Sequence, residues 1–178
     1  RKFGPKEAVI LGLPPEGKDK GIGFSRYYAK KLAEKMCSEA FPFCLMMDDS
    51  VHYWRGITLP DDNLSKPFDQ DAKLETACLT EISLADVLLY FQRWSHAEGS
   101  EMSKFGMFGF HRLNGFNSSR RAYKRTHCFS AVVLNLEKLK NVDYLERAYV
   151  WEDIQFNRDL SAQGIVSCKR ERDRDIER

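Results

Sequence analysis

Apolar and amphipathic segments alternate over the first fifty residues. Residues 7–13 form a continuous apolar run, typical of a buried strand, and two prolines end it. From residue 24 to residue 36 apolar side chains recur every four positions, with charged ones opposite, which predicts a helix. A second apolar run, residues 43–47, ends at two aspartates. The order strand, glycine loop, helix, strand predicts a βαβ unit and therefore an α/β fold with a mostly parallel sheet.

The remainder of the chain carries both helix and strand signals. The predicted elements are, in order, a helix within 74–94, strands within 105–110 and 129–136, a helix over 151–163 ended by a glycine, and a strand from 165. The predicted loops are 59–73, 95–104 and an irregular basic stretch, 114–127. We interpret residues 1–178 as a single domain with a charged tail, 169–178, that is expected to fray.

Composition narrows the class of protein. A chain of 178 residues can bury a substantial core, and 43% hydrophobic with 30% charged residues is ordinary for a globular protein. A net charge of +2 does not by itself imply a polyanionic partner. No apolar run approaches the roughly 20 residues that span a bilayer, so no membrane association is expected. The chain begins at Arg1 without a signal-peptide pattern, so we interpret it as a piece of something longer.

The cysteines are odd in number, scattered, and without a C-x-x-C or zinc-binding pattern. They are Cys37, Cys44, Cys78, Cys128 and Cys168. Reduced thiols favour a nuclear or cytoplasmic location, although the sequence leaves a secretory lumen open.

Two pairs of acidic residues stand where predicted elements end or begin. Asp48 and Asp49 follow the apolar run 43–47, and Glu152 and Asp153 open the helix predicted far along the chain. Carboxylates suit Mg²⁺ or Mn²⁺, which can neutralise charge on a departing phosphate. A spare carboxylate can take a proton from an incoming hydroxyl. The pattern therefore favours phosphate-linked group transfer at the carboxyl ends of the strands.

Both acidic pairs also have structural interpretations. Asp48 and Asp49 could be solvated, and because neighbours in an extended chain point opposite ways, both reach one ion only if the backbone turns. One could instead hold a ribose hydroxyl while the other, or Ser50, approaches the metal. Glu152 and Asp153 could simply complement the helix dipole, worth roughly 0.3–1 kcal/mol. The side chains expected to anchor that helix are Trp151, Ile154 and Leu160.

Two further segments could contact phosphate. Arg26, after the Gly21-Ile22-Gly23 segment, could bridge a phosphate, orient the aspartates, or lie on the surface. Neither G-x-G-x-x-G nor a Walker motif occurs, so nicotinamide chemistry and P-loop hydrolysis lose support. Residues 117–127 place four cations around a tyrosine, which indicates either a solvated loop or a polyanion or diphosphate contact. His127, at its edge, could be a metal ligand or structural.

Four motifs together resemble one enzyme family. Residues 21–26 (Gly-Ile-Gly-Phe-Ser-Arg) and 46–50 (Met-Met-Asp-Asp-Ser) resemble the centre of GT-A glycosyltransferases. Residues 130–136 (Ser-Ala-Val-Val-Leu-Asn-Leu) and 150–157 (Val-Trp-Glu-Asp-Ile-Gln-Phe-Asn) resemble their acceptor-side strand and Glu-Asp motif. The combination is most similar to the TET-associated and base-J-associated glycosyltransferases. That group includes the C-terminal domain of the oestrogen-regulated growth-regulation-in-breast-cancer proteins.

The resemblance implies a GT-A-like, Rossmann-like, mostly parallel sheet flanked by helices. The family's first strand–helix unit, which holds the uracil, is expected to lie outside this sequence, and the strand end is Asp-Asp-Ser rather than Asp-x-Asp. The implied donor is a UDP-sugar with Mn²⁺ or Mg²⁺, and the implied acceptor is a hydroxymethylated nucleic-acid base or a protein Ser/Thr. The implied site comprises Asp48 and Asp49 at the metal and ribose, Gly21, Gly23 and Arg26 near the nucleotide, and Asp153 with Glu152 as catalytic base or acceptor-positioning carboxylate.

Two functions of other classes stay open. One is a degenerate transferase fold that serves as a protein- or chromatin-binding module. The other is a nucleic-acid-binding domain that uses the basic residues within 120–127. The sequence does not indicate the sugar, the acceptor or the oligomeric state.

Overall fold

The computed structural model describes residues 12–17, 19–58, 78–97, 100–110 and 123–170. Within these ranges it is a mixed α/β structure. The helices are α1 (Gly21–Met36), α2 (Leu84–His96) and α3 (Glu152–Ala162), with short 3₁₀ turns at Pro15–Gly17 and Met102–Lys104. The strands are β1 (Phe43–Met47), β2 (Trp54–Thr58), β3 (Cys78–Ile82), β4 (Met107–Gly109), β5 (Tyr123–Arg125), β6 (Ala131–Asn135) and β7 (Ser167–Arg170). None of the described helices is long and apolar enough to cross a membrane.

The main sheet has five strands in the order β1-β6-β4-β7-β5. Strands β4 and β7 are parallel, whereas β1 with β6, β6 with β4, and β7 with β5 are antiparallel. The prediction of a mostly parallel sheet is therefore wrong for the described residues. It depended on continuous apolar runs, and β6, which is buried along its whole length between two antiparallel neighbours, has the same apolar pattern. Residues 7–11 of the first predicted strand lie outside the described residues.

Helices cover both faces of this sheet. Because successive strand side chains point to opposite faces, Val132 and Leu134 of β6 pack with α1 and α3, whereas Val133 packs with α2. The full burial of a side chain such as Leu134 stabilises the fold by about 1.5–3 kcal/mol. The core thus fixes the positions of all three helices relative to the strand ends.

The predicted helix over 74–94 is partly wrong. Its described part begins with a strand, β3, which pairs antiparallel with β2, and α2 starts only at Leu84. A capping box separates the two elements: the Asp86 N–H donates to Ser83 Oγ (3.1 Å), and the Ser83 N–H donates to Asp86 Oδ2 (3.1 Å). Apolar spacing alone could not reveal the pairing with β2, because that partner is distant in sequence.

Most other described elements follow the predictions, except β2, which was not predicted, and β5, which lies in the stretch that was predicted to be irregular. Strands β1, β4 and β6, helix α3 and strand β7 lie where the apolar patterns placed them. At the predicted charged tail, Lys169 and Arg170 belong to β7, while residues 171–178 lie outside the described residues. The predicted loop 59–73 also lies outside them.

Helix α1 differs from its prediction at one charged position. Lys30, expected on the solvent side, is fully buried. Its Nζ donates to Asp143 Oδ1 (2.8 Å) and also to Glu34, and Lys31 Nζ lies 2.7 Å from Asp143 Oδ2. This four-residue ion-pair cluster fastens α1 to the segment that leads towards α3.

Candidate active site

A buried arginine joins the two acidic motifs. The Nη2 of Arg26 donates to Oδ1 of Asp48, and its Nε lies 3.1 Å from Oε1 of Glu152. The side chains of Arg26 and Glu152 are only 9% and 6% exposed, whereas that of Asp48 is 24% exposed. Arg26 therefore brings one acid of each pair, Asp48 and Glu152, close together.

The strand end positions Asp48 through its backbone. Its N–H donates to the carbonyl of Ser130 (2.7 Å), just before β6, and its carbonyl accepts from the N–H of Val51 (3.2 Å). The chain thus turns immediately after β1, as two neighbouring acids need if they are to face one ligand. Ser130 itself has φ 62, in the left-handed region. Such backbone conformations in residues other than glycine are concentrated at functional sites.

The residues around Arg26 favour its protonated, positively charged form. Burial by itself would lower the pKa of Arg26, but interactions with Tyr144, Asp48 and Glu152 outweigh burial and raise that pKa. The guanidinium carbon lies 5.8 Å from the centre of the Tyr144 ring. That ring stacks on Phe156 of α3, with centroids 3.9 Å apart and planes 12° from parallel. Tyr144 is a site residue that sequence reasoning missed, because no local pattern links it to Arg26.

The second acid of each pair is more accessible than the first. Asp49 is exposed, and among the described residues none forms an ion pair with it. Asp153 is half-buried, and its Oδ1 accepts the N–H of Ile154 (2.7 Å), which fixes the carboxylate at the start of α3. The site therefore combines an inner ion-paired cluster, Asp48–Arg26–Glu152, with two outer carboxylates that a ligand can reach.

A buried asparagine, Asn157, fixes the backbone next to the site. Asn157 accepts from the N–H of Cys128 (3.1 Å) and donates to the carbonyls of Cys128 (3.0 Å) and Asp153 (2.7 Å). It thereby satisfies both backbone groups of Cys128, two residues before Ser130, much as a strand partner would. The sequence indicated Asn157 only as part of the 150–157 motif, without this role.

Trp151 does not anchor α3 as predicted. Its side chain is 71% exposed, and its backbone, at φ 66, is in the left-handed region at the N-cap of α3. The prediction is confirmed for Leu160, which is fully buried, and Phe156, which was not predicted, is buried beside it. A helical pattern that starts at Trp151 does not reveal that the residue lies just outside the helix.

Gly21 and Gly23, which were predicted to lie near the nucleotide, are in the first turn of α1 rather than in a loop. The Gly23 N–H donates to the carbonyl of Ala148 (2.9 Å), and a Cβ at Gly23 would lie 2.3 Å from the carbonyl oxygen of Leu145. A Cβ at Gly21, whose φ is +75, would lie 2.8 Å from the Tyr149 Cα. Both glycines thus allow α1 to approach the 145–149 backbone closely. Their place near a nucleotide stays a prediction.

The comparison with known proteins identifies the family. A family model described as TET-Associated Glycosyltransferase matches residues 1–171. This chain belongs to that family. It is 26% identical to the GREB1-like protein of Danio rerio over 187 residues, 24% identical to that of Mus musculus over 189, and 21% identical to Protein GREB1 of Homo sapiens over 191. Each match covers 95% of this chain and 9% of the relative. No solved structure matches significantly.

Membership of the TET-associated family confirms the resemblance found in the motifs, and it makes this a glycosyltransferase-like domain. Because the chain spans about a tenth of the length of its curated relatives, the activities and partners of those whole proteins do not transfer directly. The inner cluster and the outer carboxylates come from three of the four motifs that carried the resemblance, residues 21–26, 46–50 and 150–157.

The described residues contain no group of three or more His, Cys, Asp or Glu side chains that could hold a metal by themselves. Mg²⁺, however, is commonly held by one or two carboxylates together with substrate phosphates. Asp49 fits that arrangement as an exposed hard-oxygen donor, whereas Asp48 already has Arg26 as its partner. Asp49 is therefore the residue that could hold such an ion, and this role stays a prediction.

Only the end of the predicted basic stretch is described, since residues 111–122 lie outside the described residues. Arg125 and His127 are exposed and line a polar cavity of about 500 Å³ together with Thr126, Phe129, Ser161 and Ser167. A larger apolar cavity of about 620 Å³ lies between α2 and β1. Neither cavity is lined by the acids of the candidate site, so the candidate site is defined by its ion pairs rather than by a cavity.

Proposed function

We propose that this domain transfers a sugar from a UDP-sugar to a hydroxyl acceptor in the presence of Mn²⁺ or Mg²⁺. The observation that carries the proposal is the Arg26 bridge, which brings the acid at the end of β1 to the acid that opens α3. Membership of a glycosyltransferase family supports glycosyl transfer as the reaction class of this proposal.

Donor binding is assigned to the end of β1. Arg26 holds the Asp48 carboxylate in one orientation, as a ribose-binding acceptor of hydrogen bonds requires. Asp49 would hold the divalent ion with the donor diphosphate, where the ion would neutralise charge on the departing nucleotide. Asp48 thus orients the donor, and Asp49 places its diphosphate.

Acceptor activation is assigned to Asp153. As the acceptor oxygen bonds to the anomeric carbon, the bond from that carbon to the diphosphate oxygen breaks and UDP leaves with its electron pair. The acceptor proton passes to Asp153, whose other oxygen is held by the Ile154 N–H. Glu152 is ion-paired and nearly buried, so it acts as a positioning residue through Arg26.

The setting of the protein is proposed to be nuclear or cytoplasmic. Cys37, Cys44, Cys128 and Cys168 are free thiols among the described residues. Burial raises the pKa of Cys44 to about 11 and the pKa values of Cys128 and Cys168 to about 12, which keeps these thiols protonated at neutral pH. Free thiols are typical of reducing compartments.

A catalytically inactive domain that binds protein or chromatin is the second candidate. The observation that favours it is the inner cluster itself, because Arg26 already neutralises both Asp48 and Glu152. Such a cluster could stabilise the fold after activity has been lost.

Turnover of UDP-sugars with Mn²⁺ tests the two candidates. We expect Asp49→Asn and Asp153→Asn to lower turnover by roughly 10²-fold or more while the protein stays folded. Asp159→Asn, on the same helix, is the matched control and should retain activity. If both site variants keep wild-type turnover, the mechanism is wrong. If the wild-type protein shows neither turnover nor calorimetric binding of UDP with Mn²⁺, the binding module is the better description.

A further inference from the structure

The cavity of about 500 Å³ beside the end of α3, which we call the polar cavity, lies apart from the candidate site. Its walls come from the segment 125–129, from Ser161 on α3 and from Ser167 on β7. Ser161 lies about 12 Å beyond Asp153 along α3, given a rise of about 1.5 Å per residue. The polar cavity is therefore a separate place where a ligand could bind.

Hydrogen bonds fix the inner wall of the polar cavity. Ser167 is buried, and its hydroxyl donates to the carbonyl of Thr126 (3.0 Å), while the Thr126 N–H donates to the carbonyl of Ser167 (3.3 Å). Asn157 holds both backbone groups of Cys128. Because this backbone is in place before a ligand arrives, binding there loses little entropy.

The polar cavity has hydrogen-bond donors that are not used within the protein. Within the described ranges, the hydroxyls of Thr126 and Ser161 have no hydrogen-bond partner, and Arg125 has no ion-pair partner. None of the described lining residues is an Asp or a Glu. A guanidinium with nearby hydroxyls matches the oxygens of a phosphate group.

The two strands beside the polar cavity add positive charge. Strand β5 contains Lys124 and Arg125, strand β7 contains Lys169 and Arg170, and neither strand contains an acid. In the antiparallel register Lys124 stands directly opposite Lys169, and like charges in such positions destabilise a sheet. An anion bound nearby would offset this repulsion.

The shape of the polar cavity distinguishes between sources of phosphate. A volume of about 500 Å³ is within the range of small-molecule sites, and Phe129 gives the cavity an apolar wall. Single-stranded nucleic acid is instead bound along an extended, positively charged groove that follows its backbone. A single concave site therefore favours a small molecule that ends in one phosphate group.

We propose that the polar cavity binds a small phosphomonoester. Its phosphate oxygens accept hydrogen bonds from Arg125, Thr126 and Ser161, and its organic part packs against Phe129. This inference is independent of the proposed function, because no residue that lines the cavity is assigned to glycosyl transfer.

A two-dimensional ¹H–¹⁵N NMR titration of the 178-residue chain tests the inference. The probe is phenyl phosphate, added at constant ionic strength with a chelator present, and phenol and a single-stranded oligonucleotide are titrated for comparison. We expect saturable shifts of the amides of 125–129 and 161–167 with phenyl phosphate. Binding should be about tenfold weaker in Arg125→Gln and about fivefold weaker in Ser161→Ala, because each loses one contact to the phosphate.

Two further variants serve as controls. Arg93→Gln removes an exposed arginine from α2, and Asp49→Asn alters the proposed metal site; both should bind phenyl phosphate as the wild type does. The spectrum of each variant also shows whether it is folded. The inference is overturned if no shift saturates by about 50 mM phenyl phosphate, far above a millimolar Kd. It is equally overturned if phenol causes the same shifts, if only the oligonucleotide binds, if Arg125→Gln and Ser161→Ala bind normally, or if Asp49→Asn abolishes binding.

Discussion

The Arg26→Met substitution tests the inner cluster most directly. Methionine keeps much of the arginine stem, and hence its packing near Tyr144, but removes the cation that Glu152 and Asp48 share. Because the two carboxylates differ in exposure, they should respond differently to this loss.

The expected destabilisation follows from those exposures. Glu152 is 6% exposed and would keep a buried charge without a partner, which costs about 3–5 kcal/mol. Asp48 is 24% exposed and can be hydrated, so its share is about 0–1 kcal/mol. For a domain of this size, a loss of about 3–5 kcal/mol lowers Tm by about 6–20 °C.

Urea and thermal unfolding measure the effect, and a double variant identifies its cause. Adding Glu152→Gln to Arg26→Met removes the unpaired charge and should recover roughly half of the loss, because a neutral amide is less costly to bury than a carboxylate. Lys104→Met, which breaks an exposed ion pair with Glu101, is the control and should change stability by less than about 0.5 kcal/mol. A loss below about 1 kcal/mol for Arg26→Met, or no recovery in the double variant, would show that Glu152 is hydrated and the buried bridge is absent.

Two further predictions concern residues around the site. Asn157→Ala leaves the N–H and carbonyl of Cys128 unsatisfied, so urea unfolding should show a loss of about 3 kcal/mol in the free energy of unfolding. Gln163→Ala, at an exposed position of the same segment, is the control and should show almost no loss. Equal losses in the two variants would contradict the role assigned to Asn157. Asp143→Asn should cost about 2 kcal/mol near neutral pH. Burial would raise the pKa of Asp143, but Lys30 and Lys31 lower it below its ordinary 3.8. The hydrogen bond that Lys31 donates to Asp143 raises the pKa of Lys31 above its ordinary 10.5. The stability that ionised Asp143 contributes is present above pH 3.8 and is lost as pH falls through the lowered pKa of Asp143. The stability that protonated Lys31 contributes is present below pH 10.5 and is lost as pH rises through the raised pKa of Lys31. The stability difference between variant and wild type should therefore shrink at both extremes, and a difference that is constant with pH would refute this assignment.

Much of the described secondary structure could be predicted because it follows from local patterns. The apolar run before Asp48 and the helix after Trp151 have short-range signals, and both elements are confirmed. The family motifs lie at their ends, which is why the candidate acids could be named from the sequence. The roles of those acids in metal and sugar chemistry stay predictions.

The errors arose where distant segments decide the outcome. Strand β3 was predicted as helix because its pairing with β2 crosses residues far apart in sequence. Lys30 was placed in solvent because its partner, Asp143, is 113 residues away. Trp151 was predicted to anchor α3, but its apolar character does not reveal that it is exposed and has a left-handed backbone just before the helix.

The sequence by itself determined which residues could do chemistry here and which short segments are apolar enough to form strands and helices, since both properties belong to side chains and their spacing. Only the tertiary structure decided that Arg26 binds Asp48 and Glu152, that Asp49 and Asp153 stay accessible, and that the sheet is largely antiparallel in its described part. The physical reason is that ion pairing and strand pairing depend on distances between residues remote in the chain. Those distances are set when the whole core packs, not by any local pattern.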